Sequence, residues 1–147
     1  MIVNRQSRYR TPVKDLAAFL ARVQRALDLA GREVTVALVS DSEIARLNRT
    51  FRGKKRATDV LSFPANGAVG KRAAKGKSSS TSAYLGDIAI GAGVARRNAR
   101  RNARTFRDEL RVLILHGVLH LLGYDHETDN GRMNRLELDL RRRLGLE

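Results

Sequence analysis

Cysteine is absent from this 147-residue chain, and histidine occurs only three times. Without cysteine the chain can form neither a disulfide nor a thiolate metal site, so a bound zinc ion would need imidazole or carboxylate ligands. No apolar run approaches the roughly 20 residues of a membrane-spanning helix, and the N-terminal stretch MIVNRQSRYRTPVKD lacks the apolar segment of a signal peptide. These absences predict a cytoplasmic protein that has no membrane partner.

Acidic residues are also few: 15 Asp and Glu stand against 29 Lys and Arg, which gives a formal net charge of +14. Arginine supplies most of the excess, and its guanidinium group suits paired contacts with phosphate oxygens. A polyanionic partner such as nucleic acid is therefore favoured, and improved solubility or an arginine-rich composition is the alternative. The length predicts one domain over residues 1–147, large enough to bury a core without covalent cross-links.

Helix and strand patterns alternate in the first part of the chain. Thr11 and Pro12 predict a helix start with threonine as the N-cap, and apolar residues then recur at helical spacing until Gly31. Residues 34–39, VTVALV, alternate and are rich in β-branched side chains, which predicts a strand. Ser40 begins a capping-box sequence, SDSE, so a second helix is expected directly after this strand.

Two further strands are predicted at residues 58–64, TDVLSFP, and 84–90, YLGDIAI. Residues 66–83 lie between them and are rich in Gly, Ser, Ala and Lys, with little apolar surface to bury. This segment is predicted to be a mobile loop. An amphipathic helix from Asn130 is the last predicted element.

Arginines dominate the segment VARRNARRNARTFRDEL. Arg96, Arg100 and Arg104 are four residues apart, and Arg97 and Arg101 lie beside them, so one helix face is predicted to be strongly basic. Like charges at this spacing weaken an isolated helix, which favours a face that contacts RNA phosphates over one that only contacts water. A solvated face is the alternative.

All three histidines lie within the eleven residues HGVLHLLGYDH. The segment after the capping residue Thr105 is apolar nearly all round, which predicts a buried helix ending at Gly123. His116 and His120 are four residues apart and therefore share one helix face, where both could bind an ion at about 2.0–2.1 Å. The glycine can take a positive φ and reverse the chain, which would bring His126 back as a third ligand.

Three neutral imidazoles leave one tetrahedral position for water, as in catalytic zinc sites, although nickel, copper or iron are also compatible with them. The pattern H-x-x-x-H-x-x-G-x-x-H is similar to the metzincin peptidase motif, which has glutamate as general base directly after the first histidine. Gly117 stands there in this chain. A peptidase is therefore only a minor alternative.

Together these segments resemble the YbeY family of bacterial endoribonucleases. HGVLHLLGYDH resembles the C-terminal signature of the family, LNRTFRGKKRATDVLSFP (residues 47–64) its central block, and YLGDIAI its third block. The resemblance covers residues 47–129, interrupted by the segment at 66–83.

The resemblance implies an α+β fold, in which helices surround a small mixed sheet with a metal cleft on one side. It implies that His116, His120 and His126 bind one zinc ion per subunit and that Arg52 acts on the substrate. It also implies a role in ribosomal RNA maturation, particularly at the small-subunit 3′ end, and in ribosome quality control. Ribosomal RNA, the ribosome and ribosomal or assembly-factor proteins are the corresponding partners.

On this interpretation the site cleaves single-stranded RNA. A zinc-bound water has a pKa near about 7 and could attack a phosphodiester or deprotonate the neighbouring 2′-hydroxyl, while Arg52 clamps the phosphate. Asp87 and Asp125 are candidates for a carboxylate that accepts a hydrogen bond from a ligand histidine or that transfers a proton. The alternative of another class is a non-catalytic RNA-binding ribosome assembly factor with structural zinc.

Overall fold

The computed structural model describes four parts of the chain. They are residues 1–54, 56–65, 83–124 and 131–146. Within them four strands form one sheet in the order β1-β2-β4-β3. The strands are β1 (Ile2–Asn4), β2 (Glu33–Val39), β3 (Val60–Pro64) and β4 (Tyr84–Gly91). Strands β1 and β4 run parallel to β2, whereas β3 runs antiparallel to β4, so the sheet is mixed.

Five helices occur in the same parts of the chain. They are α1 (Val13–Ala26), α2 (Asp41–Arg52), α3 (Ala92–Arg101), α4 (Phe106–Leu121) and α5 (Arg132–Arg143). The expected α+β class with a small mixed sheet and surrounding helices is confirmed. Across the described ranges, no helix combines the length and the apolar character that crossing a bilayer requires.

Helices cover both faces of the sheet because successive strand residues point to opposite sides. Ile88 and Ala89 are neighbours on β4, and both are buried. Ile88 belongs to the larger core, in which α1, α4 and α5 bury their apolar sides. Ala89 belongs to a smaller cluster with Ile44 of α2 and Leu61 of β3. The sheet therefore separates the histidine-bearing helix α4 from helix α2, which ends at Arg52.

Hydroxyl groups cap α2 and α4 at the predicted positions. The Ser40 side chain accepts a hydrogen bond from the Glu43 backbone N–H at 3.2 Å, and the Thr105 side chain accepts one from the Asp108 N–H at 3.0 Å. Each cap satisfies a backbone donor that has no partner within its helix. These two helix starts were readable from the sequence because the capping contact is local.

The first helix differs from its prediction at both ends. Pro12 rather than Thr11 occupies the N-cap position, and no side chain caps the helix. The helix ends at Ala26 instead of continuing to Gly31, since Asp28 takes a left-handed φ of 61°, which a right-handed helix cannot accommodate. Strand β1 was not predicted, because three residues are too few to show a clear alternation.

The two later strands occur close to their predicted ranges, at Val60–Pro64 and Tyr84–Gly91. Residues 66–82 of the predicted loop lie outside the described residues, so its mobility stays a prediction. Ala83 is described, and its carbonyl accepts a hydrogen bond from the Glu33 backbone N–H at 2.6 Å. This contact brings the end of the segment against the start of β2.

Candidate metal centre

The last two turns of α4 place His116 and His120 side by side. Their Nε2 atoms are 3.1 Å apart, and the ring centroids are separated by 4.6 Å. Two nitrogens that bind one tetrahedral zinc ion at about 2.0–2.1 Å lie about 3.3 Å apart, so the observed spacing fits a shared ion. The predicted pairing of these two side chains on one helix face is therefore present.

A carboxylate from α5 holds the first histidine in one orientation. His116 Nδ1 lies 2.9 Å from Glu137 Oε1, and the other carboxylate oxygen accepts a hydrogen bond from Arg141 at 2.7 Å. A carboxylate can only accept, so Nδ1 donates in this contact, and Nε2 is the ring nitrogen that faces His120. A neutral ring held in this orientation has the tautomer that an Nε2 metal ligand requires.

Glu137 is buried, with its side chain 6% exposed. Burial raises the pKa of Glu137, but the hydrogen bonds and charges of His116 and Arg141 more than offset this effect, so its pKa lies below the ordinary value of 4.5. The carboxylate is therefore ionised at neutral pH. Sequence reasoning missed this residue, because the contact joins two helices and has no local spacing.

Gly123 takes the positive φ that was expected of it just after α4. Gly123 has a φ of 99°, and its N–H donates a hydrogen bond to the His120 carbonyl at 2.9 Å. His126 and Asp125 lie outside the described residues, so the third ligand and the hydrogen bond expected from a ligand histidine to Asp125 stay predictions. Among residues 1–54, 56–65, 83–124 and 131–146, no three His, Cys, Asp or Glu side chains form a metal-binding group.

The position after the first histidine, Gly117, packs too closely against the sheet to hold a larger side chain such as glutamate. A Cβ at this position would lie 2.9 Å from two side-chain carbons of Ile88 on β4. The neighbouring strand also approaches closely, since the Ser62 hydroxyl donates a hydrogen bond to the Gly117 carbonyl at 3.0 Å. A side chain here would point into the sheet, away from the histidines, so this position cannot supply the base of the peptidase motif.

Arg52 is the last residue of α2 and is exposed. The helix ends there because Gly53 takes a left-handed φ of 72° and donates its N–H to the Arg49 carbonyl at 3.1 Å. The preceding residue, Phe51, packs against Phe63 of β3 with ring centroids 5.3 Å apart. Phe63 and Ser62 are adjacent on β3 and point to opposite faces. Helix α2 at Phe51 and helix α4 at Gly117 therefore contact opposite faces of the same edge strand.

Asp87 does not join the histidines. It lies on β4 next to Ile88, and the alternation of the strand turns it toward the α2 side of the sheet, whereas Ile88 faces α4. Its carboxylate is exposed and accepts a hydrogen bond from the Tyr84 hydroxyl, and partial burial raises its pKa. In this geometry Glu137 rather than Asp87 contacts His116, and a role for Asp87 in holding a ligand histidine stays a prediction.

The predicted continuous arginine face is interrupted. Helix α3 ends at Arg101, and Ala103 takes a left-handed φ of 54°, so Arg104 lies beyond the helix. Arg104 instead forms a 2.6 Å ion pair with the buried Glu109. Arg96 lies over two aromatic rings at 5.4 and 5.6 Å, while Arg100 is exposed. The three arginines therefore do not share one exposed face.

A polar cleft of about 390 Å³ opens beside His116, between α3, α4 and α5. Its lining includes Asp59, Asn98 and Glu137. Asp59 accepts a hydrogen bond from the Asn98 side chain at 3.3 Å, and its carbonyl accepts one from the Gly91 N–H at 2.9 Å. The cleft gives solvent a route to the Nδ1 side of the histidine.

The fold and the site define this protein as an α+β protein with a candidate metal centre, in which a buried carboxylate orients one of two paired histidines. Comparison with known proteins identifies the family. The chain belongs to the endoribonuclease YbeY family, whose family model matches residues 2–145.

The similarity is illustrated by two of the relatives that bear the name Endoribonuclease YbeY. The protein from Solibacter usitatus is 44% identical, over 87% of this chain and 76% of its own length. The protein from Koribacter versatilis is 43% identical, over 90% of this chain and 78% of its own length. A solution structure of a Thermotoga maritima protein is similar at a TM-score of 0.62 and 29% identity, covering 98% of this chain and 86% of that one.

Proposed function

We propose that this chain is a zinc-dependent endoribonuclease that cleaves single-stranded ribosomal RNA during maturation of the small-subunit 3′ end and during ribosome quality control. The chain is an endoribonuclease, a hydrolase that acts on RNA, because it belongs to the family of that name. Our proposal adds to this activity the identity of the metal, the residues that bind it and the RNA that is cleaved. The ribosome and its assembly factors are the partners we expect, in the cytoplasm.

The observation that carries the metal assignment is the geometry of His116 and His120. Their Nε2 atoms are 3.1 Å apart, and the Nδ1 atom of His116 is engaged by Glu137. These features fit two ligands of one zinc ion, and His126 is the proposed third ligand. Zinc, when bound, would supply Lewis-acid chemistry and an activated water at neutral pH.

Arg52 is the proposed phosphate-binding residue. Its guanidinium is exposed at the end of α2, where it can form paired hydrogen bonds with phosphate oxygens and offset negative charge that develops during cleavage. Three arginines at and just after α3 are expected to contact RNA, and of these Arg100 is the one that is exposed. Arg96 and Arg104 first have to leave their aromatic and carboxylate contacts.

Cleavage of a labelled single-stranded RNA by the wild type and by Arg52→Ala tests the proposal, with equal zinc content verified for both. Arg25→Ala is the matched control, because Arg25 is also an exposed arginine in the last turn of a helix. We expect Arg52→Ala to keep its zinc and lose cleavage, and Arg25→Ala to retain both. Equal cleavage by all three proteins would remove Arg52 from the reaction.

Zinc content tests the ligand assignment separately. His120→Ala should lose stoichiometric zinc, because two imidazoles hold the ion far less tightly than three. A variant that keeps full zinc would exclude His120 from the site. If the wild type binds zinc and RNA but cleaves no RNA, the assembly-factor interpretation with structural zinc replaces the proposal.

A further inference from the structure

Phe51 is a large apolar side chain on the outside of the molecule, with 62% of its surface exposed. It continues the helix face that buries Ile44 and Asn48, because residues three, four and seven apart lie on one side of a helix. At Phe51 that face is mostly uncovered. The ring touches Phe63 at 5.3 Å and an interplanar angle of 73°, and most of its surface stays open to solvent.

Cationic residues flank Phe51 along the chain. Arg49, Arg52, Lys54 and Arg56 are all exposed, and we call them, together with Phe51, the α2-end surface. In the part of the chain that the structure describes, none of the ion pairs involves these four cations. Their positive charge is therefore available to an external anion.

The arginines at and just after α3, apart from the exposed Arg100, differ in this respect. Arg97 pairs with Asp41 at 3.2 Å, Arg101 contacts Asn98, and Arg104 pairs with Glu109. The nearest ion pairs along α2 lie toward its start, at the carboxylate of Glu43. Accessible positive charge and an exposed aromatic ring therefore coincide at the end of α2.

The backbone after α2 is held in place by a buried amide. Asn48 is 4% exposed, and its side-chain N–H donates a hydrogen bond to the Arg56 backbone carbonyl at 2.9 Å. The backbone carbonyl of Asn48 accepts a hydrogen bond from the Lys54 backbone N–H at 3.3 Å. These contacts anchor the backbone at Lys54 and at Arg56 to helix α2. A surface ordered before binding loses less conformational freedom when a ligand arrives.

We propose that the α2-end surface binds single-stranded RNA, with one base stacked on Phe51 and flanking phosphates bound by Arg49, Lys54 and Arg56. The inference rests on the proposed function, since it identifies how the substrate of that function is held. Unpaired bases stack on exposed aromatic side chains, whereas bases inside a duplex are already stacked and cannot reach one. Phe51 thus selects single strands, and its neighbour Arg52 meets the adjoining phosphate.

Binding of a fluorescently labelled single-stranded RNA tests Phe51, with gels to confirm that the RNA stays intact. Phe51→Leu keeps an apolar contact to Phe63 but removes the aromatic face, so we expect binding to weaken roughly 5- to 100-fold. Phe51→Trp should bind within about threefold of the wild type, because it restores a ring. Leu138→Ala is the control, since Leu138 is also an exposed apolar side chain, at 40%.

A duplex of the same sequence should bind the wild type and Phe51→Leu equally. Wild-type affinity in Phe51→Leu, or an equal loss of duplex affinity, would overturn the proposal. Binding is measured without reference to cleavage, so the two proposals can fail separately. An inactive wild type whose binding still depends on the Phe51 ring contradicts only the proposed cleavage, and normal cleavage by Phe51→Leu with unchanged affinity contradicts only the stacking.

The salt dependence of binding tests the cations. Replacing Arg49 and Arg56 with glutamine removes two proposed phosphate contacts, which should reduce the slope of log affinity against log salt by about 1.4. Arg25→Gln with Arg142→Gln removes the same charge from exposed positions elsewhere and should leave the slope nearly unchanged. Equal slopes for the two double variants would refute the phosphate contacts.

Discussion

Replacing Glu137 with glutamine should weaken zinc binding and destabilise the protein together. The carboxylate accepts from His116 at 2.9 Å and from Arg141 at 2.7 Å, whereas an amide has only one acceptor oxygen. If that oxygen faces His116, the amide N–H groups oppose the Arg141 donors. If it faces Arg141, the histidine must accept through Nδ1, and its Nε2 then carries the proton and cannot bind a metal.

The magnitudes follow from these two contacts. Loss of one charge-assisted hydrogen bond costs about 2–3 kcal/mol, somewhat reduced here because the Arg141 side chain is 21% exposed. For a chain of 147 residues this lowers the melting temperature by roughly 4–12 °C. Loss of a group that orients a metal ligand reduces metal affinity roughly 10- to 100-fold.

Two assays separate the structural and metal-binding effects. Thermal unfolding of the metal-free protein measures stability, and competition with a zinc chelator measures affinity. Asp139→Asn is the matched control on the same helix, because its carboxylate is 54% exposed and lies 3.5 Å from Arg143; it should change stability by less than about 0.5 kcal/mol. A Glu137→Gln protein that melts lower but binds zinc as tightly as the wild type would refute the orienting role.

Three further changes test the packing, the caps and the charge state. Gly117→Ala should lower the free energy of unfolding, measured in urea, by about 1–3 kcal/mol, because the added Cβ would lie 2.9 Å from buried Ile88. An unchanged urea midpoint would contradict this close approach. Thr105→Ala should lower the free energy of unfolding by about 1 kcal/mol, and Thr105→Ser should lower it much less because serine keeps the hydroxyl. Equal losses of stability in the two variants would exclude capping by the hydroxyl. The pKa of Glu137 is lowered on folding, so its stabilisation is present above its ordinary value of 4.5 and is lost as the pH falls through the lower folded value. Urea unfolding across this range should therefore show a smaller acid dependence for Glu137→Gln, and parallel curves would contradict the shift.

Local patterns predicted much of the fold and the side-by-side placement of two histidines of the candidate site. The capping residues Ser40 and Thr105, and the pair formed by His116 and His120, depend on contacts within a few residues of the chain. Such contacts follow from helix geometry alone. The α+β class followed from the family resemblance, and the mixed sheet confirms it.

Contacts between distant elements could not be predicted in the same way. Glu137 is 21 residues from His116, and only the packing of α5 against α4 brings their side chains together. Asp87 illustrates the converse, because it is a plausible partner in sequence that the strand alternation turns to the other face. The predicted arginine face does not extend to Arg104, because the helix ends at Arg101 and Ala103 takes a positive φ.

X-ray absorption at the zinc edge tests the central claim most directly, when recorded on zinc-loaded wild type and on His126→Ala. The account predicts three imidazole nitrogens at about 2.0–2.1 Å and one exchangeable oxygen in the wild type, with two nitrogens left in the variant. Four ligands from the protein, or an unchanged spectrum in His126→Ala, would contradict a three-histidine centre with an open position.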